Sequence, residues 1–156
     1  MAVYSVNSLV GGGTQQATSG TYATQVGLSA QTTGLTLFSV NDIEFGTAGT
    51  PADNYMEYDV SRSTTVGTGT SATPNPVNPL SKAATTVATT CLTAEPTVTS
   101  NSSLLYIPVN QRASYRWVAV PGCELQGIVT NLYGLAFRSR SAAYTGKIGV
   151  TAFFVE

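Results

Sequence analysis

Apolar and polar residues alternate along much of this chain with a period of two, the pattern of strands that bury one face. Between Tyr55 and Ser61, Met56, Tyr58 and Val60 take one parity and Glu57 and Asp59 the other, which predicts a strand with a solvated acidic face. Tyr22, Val26 and Leu28 share a parity in the same way. From Leu35 to Phe45 the apolar positions are Phe38 and Val40, then Ile43 and Phe45, so the parity shifts near Asn41 and Asp42. One long strand carrying a bulge, or two short strands, accounts for the shift. Further strands are predicted over Leu104–Val109, Ala113–Val120, Leu125–Val129, Leu135–Arg138 and Ile148–Val155, with Pro121–Gly122 and Thr145–Gly146 as the clearest turns. No window of about ten residues carries the 3.6-residue period of an amphipathic helix.

Three segments lack a clear period. Residues 1–20, with Gly11 to Gly13, Gln15, Gln16 and the Ser19–Gly20 pair, read as an extended arm, flexible alone or ordered only against a partner. Residues 66–79 concentrate Gly67, Gly69, Pro74, Pro76 and Pro79, and prolines without an amide donor are excluded from a central ladder, so a long loop is expected there. Ala83 to Val98 is Thr-rich and weakly patterned. About eight short strands in one chain of this size predict an all-β, single-domain antiparallel β-sandwich over residues 21–156, jelly-roll-like in topology.

Composition narrows what such a sandwich can do. Thr and Ser supply 39 of the 156 residues, charged residues 10%, and there is no histidine. Thr suits a pleated surface. Without histidine the common nucleophile–base triads cannot be assembled, so no enzyme is expected. Asp42 with Glu44, and Glu57 with Asp59, stand at i and i+2 and point to one strand face each; such pairs could bind a cation or act as acid and base, although solvated strand faces produce them routinely. The glycine clusters match no phosphate loop. Cys91 and Cys123 have neither CxxC spacing nor a histidine to complete a zinc site, and nothing requires them to pair. No cofactor is expected.

The start of the chain has no basic n-region or apolar h-region, and no apolar run reaches the length of a membrane span, so a product kept in the cytosol is expected, with no membrane partner. Net charge is −1, yet all five charges up to Val60 (Asp42, Glu44, Asp53, Glu57, Asp59) are acidic and every basic residue lies from Arg62 onward. Opposite halves could pair inside one fold, the preferred reading, or between copies. Arg112, Arg116, Arg138 and Arg140 form too sparse a set for nucleic acid. Arg112 and Arg116 are expected on an exposed face with Tyr115 and Trp117 turned to the core. Arginine beside tyrosine and tryptophan is typical of protein interfaces, which makes these four arginines candidate contacts, together with Gln15 and Gln16 of the arm and Pro74 and Pro76 of the loop.

Gly49–Arg62, Asn110–Gly122 and Arg138–Lys147 resemble blocks in small structural proteins of tailed-phage virions, whereas residues 63–103 resemble nothing comparable. The resemblance implies a capsid decoration, or cement, protein with a jelly-roll-like fold, made in the host cytoplasm and located on the outer surface of the capsid. Its partner would be the major capsid protein, and no catalytic residue would carry over. Symmetric copies suit a symmetric lattice, so a homotrimer, or else a dimer, is expected. The alternatives are a tail, neck or head-fibre component, and a carbohydrate-binding sandwich in which Trp117, Tyr55 or Tyr58 stacks on sugar near Glu57 and Asp59.

Overall fold

The computed structural model describes residues 1–9, 17–30, 37–128 and 134–156. Among the described residues there is no helix, and the strands are β1 (Val3–Asn7), β2 (Ala23–Ser29), β3 (Leu37–Ala48), β4 (Tyr55–Ser63), β5 (Thr68–Ala72), β6 (Asn75–Pro76), β7 (Val87–Ala94), β8 (Val98–Asn110), β9 (Tyr115–Val118), β10 (Leu125–Ile128), β11 (Gly134–Arg140) and β12 (Lys147–Val155). One sheet has the order β10-β3-β12-β1-β6, with β9 also pairing β3, and the other the order β5-β7-β2-β11-β4-β8. Neighbours in both run antiparallel. The two sheets face each other as a β-sandwich.

The alternation read from the sequence is what fills the space between them. Phe38, Val40, Ile43 and Phe45 of β3 and Ile148, Val150, Ala152 and Phe154 of β12 are buried from one side. Met56, Tyr58 and Val60 of β4, Leu135 and Phe137 of β11 and Val26 and Leu28 of β2 meet them from the other. Phe45 and Tyr58 stack across the interface with ring centres 4.6 Å apart. Burial raises the Tyr58 phenol well above its ordinary pKa, with nearby Tyr144 adding to the effect.

Two bulges decide which side chains leave this core. In β3, Asp42 opposes Phe153 while Val40 opposes Phe154, so Asn41 is the extra residue and the strand is one long element that changes parity. The bulge also divides the edge of β3: β10 pairs Leu37–Val40 and β9 pairs Asp42–Phe45. In β2, Val26 opposes Phe137 but Thr24 opposes Arg138, so Gln25 is extra. That extra residue turns the strand by one position. Tyr22, expected to share the face of Val26 and Leu28, lies instead on the outside beside Arg138 and Arg140.

Much of the expected arm belongs to the sandwich. Val3–Asn7 is an interior strand between β12 and β6, with Tyr4 and Val6 buried. Thr18 is buried too, its hydroxyl donating to the Tyr144 carbonyl at 3.1 Å. Short alternation flanked by glycine is too weak a signal to reveal β1; pairing on both sides is what orders it. Gln15 and Gln16 lie outside the described residues. The expected loop at 66–79 likewise carries strand: β5 extends one sheet and β6 the other, so the excursion from β4 to β7 clasps both. Pro74 is buried, and Pro76 is half-buried at the rim, where a missing amide donor costs nothing. Gly27 is required where this excursion crosses, since a Cβ there would meet the Val66 carbonyl oxygen at 2.7 Å. The weakly patterned Thr-rich region forms β7, flanked on both sides, with Ala88, Thr90 and Leu92 buried.

Glu156 anchors the chain beyond β12. Its carboxylate accepts from the amides and hydroxyls of Thr85 (2.6 and 3.2 Å) and Thr86 (2.9 and 2.6 Å). Partial burial pushes this carboxyl up, but the hydrogen bonds from Thr86 and Thr85 outweigh it and hold the group below the ordinary value of 4.5. A depressed folded-state pKa contributes stability above the ordinary value and loses it as pH falls through the folded one. The stability gap between the parent and Glu156→Gln is therefore expected to be full at neutral pH and to shrink below pH 4.5, as read by urea denaturation across pH. A gap that stays constant down to strongly acid pH would remove this clamp from the acid response.

Candidate interaction surface

The outer face of the β4/β11 pair carries a ladder of charges. Register sets Asp59 opposite Arg138 and Glu57 opposite Arg140. Arg138 donates from Nε to Asp59 Oδ2 at 2.9 Å and from its terminal nitrogen to Ser61 Oγ at 2.9 Å, while Ser61 and Ser103 donate to the two Asp59 oxygens at 2.7 and 2.5 Å. Arg140 Nε meets Glu57 Oε2 at 2.6 Å, and Tyr106 donates to Glu57 Oε1 at 2.9 Å. Both guanidinium carbons stand over the Tyr22 ring, 4.6 and 4.7 Å from its centre. Desolvation, reinforced by the Glu57 carboxylate, raises the Tyr22 phenol above its ordinary pKa.

This ladder corrects one expectation. The acidic face of β4 is not solvated, because the Asp59 side chain is 4% exposed and Arg138 only 18%. Arg138 and Arg140 are paired with Asp59 and Glu57 within the fold, Arg140 remaining 38% exposed. The same pairing uses the carboxylate oxygens that a cation or an acid–base pair would need.

The remaining acids follow suit. Arg116 on β9 grips Asp42 through Nε at 3.0 Å and a terminal nitrogen at 2.5 Å, with Glu44 at 3.6 Å. Arg112 pairs with Asp53 at 3.3 Å, both largely exposed. An exposed pair of this kind is worth about 0–1 kcal/mol. All five acids of the first part of the chain thus meet the four candidate arginines within the fold, and the charge asymmetry of the sequence is intramolecular pairing. Arg112 sits in the turn before β9 and does not share a strand face with Arg116. Tyr115 and Trp117 oppose Phe45 and Ile43 and so turn inward as expected; Trp117 packs against the core, but Tyr115 at the rim remains 39% exposed.

Gln111 carries no signal in the sequence that would single it out, although it lies within the block Asn110–Gly122. Its buried side chain accepts from the Ala52 amide at 2.9 Å and donates to Ser141 Oγ at 2.8 Å. Its amide donates to the Asn54 carbonyl at 2.8 Å, and its carbonyl accepts from Thr47 Oγ1 at 2.7 Å. Tyr55 accepts from the Ala142 amide at 3.2 Å, and Tyr144 reaches the Ala48 carbonyl at 2.6 Å. The three blocks Gly49–Arg62, Asn110–Gly122 and Arg138–Lys147, far apart in sequence, are thereby tied together at one end of the sandwich.

The opposite end of the β3 sheet is apolar. Leu37 opposes Ile128, Val155 opposes Ser39 two residues along from Leu37, Val3 opposes Val155, and the Val77 amide donates to the Val3 carbonyl, so these positions gather at one end of the sheet. Leu37 (48%), Ile128 (40%), Val3 (40%), Val77 (57%) and Leu80 (92%) are all exposed. A run of adjacent exposed apolar groups marks a contact surface, where a single one would not. The segment bearing Leu80 is braced by an Asx turn, with Asn78 Oδ1 accepting from the Leu80 amide at 3.0 Å.

Among the described residues no cluster of acids and cysteines could hold a metal ion, and no helix is long and apolar enough to cross a membrane. Cys91 and Cys123 are not joined to each other. No known protein family, curated protein or solved structure matches the chain.

Proposed function

We propose that this protein is a capsid decoration, or cement, protein that binds the outside of a tailed-phage head and stabilises it by bridging major capsid protein subunits as a homo-oligomer, a trimer in preference to a dimer. The observation that carries this reading is the apolar end of the β3 sheet on a molecule whose acidic and arginine side chains are otherwise largely quenched internally. Desolvating that end costs little, and the braced Leu80 turn loses little freedom on docking. The strand order adds support. With β5, β6 and β7 set aside as an excursion and β9 and β10 taken as one strand, the sheets run first-eighth-third-sixth and second-seventh-fourth-fifth, the order of a jelly roll, an architecture shared by viral capsid and lectin domains.

A ligand that binds only the assembled shell stabilises it by about 2.7 kcal/mol per site at a hundredfold excess over Kd. Heads stripped of the protein are expected to open at lower temperature than decorated ones, and re-addition should restore them. Leu37→Asp with Leu80→Asp should lower occupancy by at least about tenfold while the isolated fold melts as before. Equal heat resistance of stripped and decorated heads would end the cement reading. Occupancy confined to a single ring at the tail, in place of the whole shell, would favour a neck or tail component.

A further inference from the structure

We infer that the partner surface met by the apolar end of the β3 sheet carries carboxylates, which pair with Arg62 and Lys82. The inference rests on the docking proposed above and names the chemistry of the partner. Its basis is the charge that the fold leaves over. All eight acids and all seven bases of the chain lie within the described residues. Arg112, Arg116, Arg138 and Arg140 stand at ion-pair distance from acids, whereas Arg62, Lys82 and Lys147 do not. The three acids without an arginine, Glu95, Glu124 and Glu156, accept from backbone amides instead. No carboxylate of the chain itself is left to serve Arg62.

Arg62 has an unusual place for a charge. It shares the parity of the buried Tyr58 and Val60 on β4 and opposes Leu135, so it leaves the core side of the sheet. Half-buried, it bridges the two sheets, donating from a terminal nitrogen to the Gln126 carbonyl of β10 at 2.8 Å. That bond uses one of the five N–H donors of a guanidinium and supplies no counter-charge. The other side-chain donors meet no acceptor among the described residues. Gln126 precedes Ile128 by two residues, about 7 Å along the strand, so the guanidinium is held at the border of the apolar end.

Lys82 flanks the same end two residues beyond Leu80. The Tyr4 hydroxyl donates to the Lys82 carbonyl at 3.0 Å, which ties this segment to β1. Tyr4, Leu80 and Lys82 line a cleft of 590 Å³, room enough for an apolar side chain of the partner. Glu156 lines it too, but the amides and hydroxyls of Thr85 and Thr86 engage both of its oxygens. Aliphatic groups set between two cations that lack internal counter-charges complement carboxylates set among apolar groups. The planar Arg62 fork suits a carboxylate in particular, since it can offer two parallel bonds. Two cations are too few to hold nucleic acid or an anionic bilayer. Lys147, the third unpaired base, opposes Ala48 at the Gln111 end and takes no part.

The test measures the affinity of the full chain for stripped heads at low and high salt. Affinity is expected to fall as salt is added, because the pairs form at the rim of the contact. At low salt Arg62→Gln should weaken binding by about tenfold and Lys82→Gln by about threefold, and the double variant should lose most of the salt dependence. Glutamine keeps a donor for the Gln126 carbonyl, and Lys82 is exposed, so both variants should melt as the parent does. Lys147→Gln should bind as the parent does. If Leu37→Asp with Leu80→Asp abolishes occupancy while both glutamine variants bind like the parent at every salt concentration, the docking stands and the acidic partner is wrong. If neither set of variants changes occupancy, docking by this end fails and the inference fails with it. An equal loss in Lys147→Gln would reduce the effect to overall charge, and tight capture by anionic phospholipid vesicles would assign the surface to lipid; either result overturns the inference.

Discussion

Asp59→Ala is expected to destabilise the protein by about 3–5 kcal/mol, because it leaves the guanidinium of Arg138 largely buried against the sheet without its counter-charge. Arg138 then retains the Ser61 hydroxyl and the Tyr22 ring, neither of which is charged, and Ser103 loses its acceptor. Replacing both members of the pair by apolar residues of similar volume should recover most of the loss, since a buried ion pair gains little over good packing while half of one costs a great deal. Urea denaturation of the single and double variants measures both. A loss below about 1 kcal/mol for the single variant would mean that water reaches Arg138 and that the ladder behaves as a surface pair.

Gln111→Ala is expected to cost about 1–3 kcal/mol through the Ala52 amide and the Ser141 hydroxyl, which both lose their partner, with a further loss from the cavity left behind. The effect should be local as well as global. Hydrogen exchange at Ala52 and in the turns at 49–54 and 141–146 should accelerate more than exchange in the core of β3, because the three segments no longer share an anchor. Gln111→Glu separates shape from chemistry: it fills the same space but cannot donate to Ser141 as a carboxylate. A variant with unchanged stability and unchanged exchange in those turns would show that backbone bonds alone hold the loops together.

How much of the fold is legible in the chain differs from element to element. The alternation in β4 and β12 correctly marks their buried faces, because parity depends only on neighbouring residues in the same strand. Even the bulge at Asn41 is visible, since two apolar pairs of opposite parity on either side of it are what one inserted residue produces. The bulge at Gln25 is not visible. Only Ala23, Thr24 and Gln25 lie between Tyr22 and Val26, and nothing local tells a straight strand from one that turns by a residue. Parity alone therefore assigns Tyr22 to the core, although it lies in the charge ladder.

The interaction surfaces are harder still to read. The four arginines are candidate contacts by side-chain type, yet each has an acid within reach in the folded chain. Pro74 is a candidate because prolines favour loops, but the excursion folds back and buries it. The apolar end escapes notice for the opposite reason. Leu37, Ile128, Val3 and Leu80 are ordinary one at a time, and only the folding of the chain gathers them at one end of the sheet, with pairing setting Leu37 against Ile128 and Val3 against Val155.

By itself, the sequence determined the all-β character, the sheet faces that form the core, and an acidic part and a basic part that could pair within the fold. These follow from side-chain period and composition, which are local properties. Only the tertiary structure decided that Val3–Asn7 is an inner strand, which arginine meets which acid, and where three remote blocks join around Gln111. Each of those depends on register between strands many residues apart, and a shift of one residue would send every side chain on a strand to the other face.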